Sequence, residues 1–134
     1  MLELQTIQKI VLAIRDAGRR EVCGLVLRHA TGNQEFLRLR NLAELPTSFE
    51  IGNSEVLRAE RYAQLQGARI EAFIHSHHTT LELSAADKTS IKVSNVPWIT
   101  ILLGKATIRY RVFRHEYIEE EAETFEAPLP EEIA

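Results

Sequence analysis

The segment R-I-E-A-F-I-H-S-H (69–77) places the tightest limit on what this chain can become. It is short, rich in β-branched and aromatic residues, preceded by Gly67 and followed by the polar run H-T-T. That pattern predicts a buried strand running straight into a polar loop. Such a strand needs neighbours, and the sequence offers four. E-V-C-G-L-V-L-R (21–28) is nearly all apolar, A-T-G-N (30–33) supplies a turn, and F-L-R-L-R-N-L (36–42) alternates as its partner. P-W-I-T-I-L-L (97–103) and T-I-R-Y-R-V-F (107–113) read as a hairpin across Gly104-Lys105. A short extended piece is expected at 48–51.

Three helices fall between these strands. Leu4, Ile7, Ile10, Val11 and Ile14 recur at helical spacing, so 4–17 reads as an amphipathic helix closed by Gly18. A second helix, capped by Asn53 or Ser54, runs to about Leu65 and ends at Gly67; a third opens at Ser84 and reaches about Ser94. A length of 134 residues suits one domain. The expected architecture is α/β: a central mixed β-sheet flanked by helices, spanning 1–114, with an acidic C-terminal tail at 115–134.

Charge sets that tail apart. The eight Glu residues of 115–134 face no Lys, Arg or Asp in the same stretch, so a tail of −8 follows a body of +5. A basic body can mark a nucleic-acid binder, but these arginines are dispersed, and Arg109 and Arg111 alternate with Ile108, Tyr110 and Val112 as the solvent face of a strand would. Nucleic acid is therefore not expected as a partner. Glu3, Lys9, Arg15 and Asp16 interrupt the apolar start, which argues against a signal peptide, and no window approaches the ~20 apolar residues of a membrane span. One cysteine, Cys23, excludes an internal disulfide framework and reads as a small core residue. A cytoplasmic location is expected.

Chemistry concentrates at the end of the 69–77 strand. Residues two apart on a strand project from one face, so His75 and His77 can meet a single metal ion. Ten residues further on, Asp87 lies in the first turn of the third helix. Two imidazoles and a carboxylate leave a fourth position open for water, the mark of a catalytic rather than a structural zinc ion. Ser84 and Asp87 also form an S-x-x-D capping box, which would fix the Asp87 side chain. His115-Glu116 with Glu119 superficially suggests a zincin helix but lacks the second histidine. Trp98, Phe73 and Tyr110 are read as core.

Glu21 in a Glu-x-x-Gly-Leu strand, followed by His-x-His and then Ser-x-x-Asp, resembles the JAMM motif of MPN-domain metalloproteases. Cys23-Gly24-Leu25-Val26 and Pro97-Trp98-Ile99 are similar to bacterial and phage-tail members, and the likeness runs from about Leu4 to Phe113. The resemblance implies a single MPN/JAMM-like domain binding Zn2+ through His75, His77 and Asp87. It implies Glu21 as the base that activates water, Ser84 as a donor to the oxyanion, and a peptide, ubiquitin-like or other protein as substrate. A virion-associated location follows if the source is a phage. Two departures stand out: the stretch between His77 and Ser84 (78–83) is one residue shorter than the family pattern, and His78 replaces the usual Pro. These favour a rival reading, a non-catalytic MPN-type scaffold or assembly module. For the enzyme, substrate specificity is expected from 42–55 and 78–83.

Overall fold

The computed structural model describes residues 2–91, 95–114 and 122–129. In chain order these form α1 (Leu4–Ala17), β1 (Cys23–His29), β2 (Gln34–Leu39), α2 (Asn53–Leu65), β3 (Ala68–His77), α3 (Ala85–Ile91), β4 (Trp98–Leu103), β5 (Thr107–Phe113) and β6 (Glu123–Pro128). The six strands make one sheet in the order β2-β1-β3-β4-β5-β6. Only β3 and β4 run parallel; every other neighbouring pair is antiparallel. A parallel pair needs a long crossover, and this one carries α3. The crossover leaves from the C-terminal end of β3, where a ligand-bearing loop is best placed in an open α/β sheet.

Alternation along the strands splits the core in two. On one face, Ile7, Ile10, Val11 and Ala13 of α1 pack over Val26, Ala72, Ile74, Ile99, Ile101 and Ile108. On the other, Ala59 of α2 packs with Cys23, Leu39, Phe73, Trp98 and Phe113. Trp98, Phe73 and Tyr110 are buried, as the sequence predicts. Leu4 departs from its expected role. It stays exposed, and Leu2 and Thr6 are buried at that end of the helix instead.

Gly24 explains why β1 and β2 approach so closely. A Cβ there would lie 2.5 Å from Cε1 of Phe36 and 2.6 Å from the Leu37 carbonyl oxygen. The ring of Phe36 occupies the space a side chain would need. The α2 cap also differs from expectation: Gly52, not Asn53 or Ser54, is the N-cap, without a side-chain hydrogen bond. The 48–51 piece forms no strand, although the Leu42 N–H donates to the Glu50 carbonyl at 2.7 Å and closes the 42–50 loop on itself.

The largest correction concerns 115–134. Glu123–Pro128, expected to lie in an acidic tail, form β6 and pair with β5 along its length. The physical cause is twofold. Arg109 and Arg111, read as solvent-facing, stand opposite Glu126 and Thr124, and Arg111 Nε donates to Thr124 Oγ1 at 2.9 Å. Phe125 stacks on Tyr110 with ring centroids 4.9 Å apart, and Leu129 is buried beyond the strand end. His115 through Glu121, which include the zincin-like residues, and residues 92–94 at the expected end of the third helix lie outside the described residues. Among the described residues, no helix is long and apolar enough to cross a membrane.

Candidate metal centre

The register of β1 against β3 builds the site. Cys23 pairs with His75. Beyond it, the Ser76 N–H donates to the Val22 carbonyl, and the Val22 N–H donates to Ser76 Oγ, both at 2.8 Å. Continuing that antiparallel register sets Glu21 across from His77. Glu21 therefore precedes β1 rather than lying within it, next to Val22, whose N–H and carbonyl both bond Ser76.

His75 and His77 project from one face of β3 toward Asp87. His75 Nε2 lies 3.4 Å and His77 Nε2 3.3 Å from Asp87 Oδ2, and the donor atoms of all three residues fall within 4.8 Å of one another. A direct charge-assisted hydrogen bond would be nearer ~2.8 Å. Two donors held about 2.0–2.2 Å from a tetrahedral zinc ion stand roughly 3.3–3.6 Å apart. The spacing is therefore also one that three ligands of a shared ion could take. Two imidazoles and a carboxylate are also a donor set that zinc accepts.

Neighbouring hydrogen bonds orient two of the three candidate ligands, His77 and Asp87. Thr80 O lies 3.2 Å from His77 Nδ1 and accepts from it when that nitrogen carries the proton, leaving Nε2 free to coordinate. Asp87 is fixed by the capping box: the Ser84 N–H donates to Asp87 Oδ2 at 3.0 Å, and the Asp87 N–H donates to Ser84 Oγ at 3.1 Å. The six-residue stretch 78–83 buries Leu81 and Leu83, and this anchors it and delivers Asp87 to the histidines. His78 is exposed and stands apart from the cluster.

Burial tunes the charges. It lifts the Glu21 carboxyl to about 7, with the Asp87 charge adding to the rise and His77 opposing it. Full burial pushes the His75 imidazole below its ordinary value despite Asp87. At His77 burial pulls the same way, but the contacts with Asp87 and the charge of Glu21 outweigh it and the value rises. Burial would raise Asp87, yet the two imidazoles and the Ser84 N–H hold it well below the usual carboxylate range.

A cleft of about 120 Å³ opens onto this cluster, lined by Glu21, Ser84, Asp87 and Phe49 among others. Because Ser84 Oγ accepts from the Asp87 N–H, its own O–H remains able to donate into that space. Two supports carried no sequence signal. Phe49 lies against His75, Phe73 and Trp98 at centroid distances of 5.2, 5.4 and 6.0 Å and roofs the buried histidine. Asn41 uses its whole amide: Nδ2 donates to the Glu21 and Ser48 carbonyls, and Oδ1 accepts from the Ala43 and Glu50 N–H groups. Arg20 donates to the carbonyls of Asn41 and Ala43. Long-range partners such as these leave no local pattern to read.

Residues 3–116 match the family described as prokaryotic homologs of the JAB domain. The chain belongs to this family. Its JAB (MPN) domain is also similar in fold to a protein of Desulfitobacterium hafniense known from a solution structure. That likeness has a TM-score of 0.68 at 20% identity, over 90% of this chain and 86% of the other. No curated protein matches the chain. Within this JAB domain, His75, His77 and Asp87 form a group able to hold a metal ion.

Proposed function

We propose that this JAB domain is a zinc-dependent metallopeptidase that hydrolyses a peptide or isopeptide amide bond. The observation that carries the reading is the cleft in which Glu21 and Ser84 meet the edge of the His75–His77–Asp87 cluster. Bound by those three residues, zinc supplies a Lewis acid that polarises a carbonyl and makes a water acidic near neutral pH. Glu21 takes a proton from the attacking water and returns it to the leaving amine. A value near 7 suits that exchange, because the group both accepts and releases protons at the working pH. Ser84 donates its O–H to the carbonyl oxygen as negative charge develops there. The 42–50 loop, pinned through Asn41 and roofing His75 through Phe49, governs which chain reaches the cleft.

The test is Glu21→Gln, which keeps size and loses the base. The variant should retain zinc and lose at least ~100-fold in the rate of hydrolysis of a peptide or ubiquitin-like fusion. Wild-type rate should climb as pH rises through the range near 7 in which Glu21 loses its proton. Undiminished hydrolysis in Glu21→Gln would remove Glu21 from the reaction. A zinc-loaded wild type inert toward peptide and isopeptide substrates would favour an assembly module on the same fold.

A further inference from the structure

His75 is fully buried, and its Nδ1 has no hydrogen-bond partner among the described residues. Thr100 on β4 is equally buried, and its Oγ1 also has no partner among the described residues. These two atoms belong to neighbouring positions. His75 pairs with Thr100 across the parallel β3–β4 ladder, and the preceding pair on the same face, Phe73 and Trp98, packs with tilted rings 4.7 Å apart. Side chains alternate along both strands in step, so the Thr100 hydroxyl shares the face on which His75 reaches the site. Cys23 flanks His75 on the other side, but its Sγ turns to the Leu39 carbonyl at 3.8 Å.

A buried polar atom without a partner costs about 1–3 kcal/mol. Neither atom bonds the other directly, so one enclosed water bonded to both is their simplest shared partner. We propose that Thr100 is the positioning residue of His75, its hydroxyl holding Nδ1 through that water so that Nε2 is presented to the metal ion. A hydroxyl suits this position because it serves both tautomers. Through the water it passes a hydrogen bond to Nδ1 when the ring proton sits on Nε2 against Asp87, and takes one up from the Nδ1–H when Nε2 coordinates. His77 has the matching arrangement, with Thr80 O at its Nδ1. The proposal rests on the metal assignment but not on hydrolysis.

Thr100→Val keeps the shape and removes the hydroxyl; Thr100→Ser keeps the hydroxyl. Zinc dissociation constants from chelator competition should rise 10- to 100-fold in Thr100→Val, the usual loss when a ligand's outer partner is removed. In Thr100→Ser they should stay within about twofold of wild type. Nitrogen NMR of the His75 ring, in metal-free protein, should show Nδ1 shifted in the Val variant and unchanged in the Ser variant. That second readout needs no metal, so it tests the Thr100–His75 link even if zinc fails to bind. Equal zinc affinity and an unchanged Nδ1 signal in Thr100→Val would overturn the proposal. An Nδ1 signal insensitive to the substitution in a chain that takes up no zinc would overturn it as well.

Discussion

At the scale of single residues, the short 78–83 loop and His78 bear most directly on whether the metal centre stays open. An imidazole next to a ligand can close a fourth coordination position or point to solvent. Adjacent strand residues project to opposite faces, so His78 would have to turn back to reach the ion, and it is exposed instead. Both His78→Ala and His78→Pro are expected to bind zinc as the wild type does, within about twofold, by chelator competition. Weaker binding in both together with faster hydrolysis would make His78 a fourth ligand. Cys23 makes a second case. Burial is the main cause that drives its thiol up to about 12, with the Glu21 charge adding to it. Native protein at pH 8 should therefore resist alkylation and react only once unfolded. Rapid labelling of the native protein would show that the β1 face opens.

At the scale of elements, period and composition carried most of what was legible. The apolar runs of β1, β3 and β4 and the alternation of β2 and β5 are direct products of burial on one or two sheet faces. The His-x-His pair and the Ser-x-x-Asp box were readable because a strand and a helix turn each fix where their own side chains point. What joins separate elements was not. Asn41 and Phe49 act through contacts made only after the chain has folded, and Thr100 looks like any small residue in an apolar strand. The segment at 123–128 did carry a period-two signal in Phe125, Ala127 and Leu129, but its glutamates masked it. At Gly24 the element sets the residue. Gly24→Ala must force β1 from β2, since the obstructing atoms include the Leu37 backbone. A loss of about 1–3 kcal/mol is expected in denaturant unfolding. A change under about 0.5 kcal/mol would mean that the hairpin yields without strain.

At the scale of the whole molecule, β6 turns a five-stranded sheet into a six-stranded one and covers the edge of β5. The family match ends at residue 116, so this strand lies beyond the matched residues. Truncation after Arg114 should uncover the β5 edge and Tyr110, lower the melting temperature by several degrees and promote self-association. Zinc affinity should be unaffected, because the metal cluster belongs to β3 and α3. Unchanged melting and a monodisperse truncated chain would show that β6 contributes nothing to the fold.

Metal stoichiometry tests the central claim most directly. Protein prepared without chelators, or dialysed against a slight excess of zinc, should carry one zinc per chain by elemental analysis. His77→Ala should carry none, and wild-type affinity should fall as pH drops through the histidine range, because protons compete for the ligand nitrogens. A folded wild-type chain that contains no zinc and takes up none at neutral pH would contradict the account.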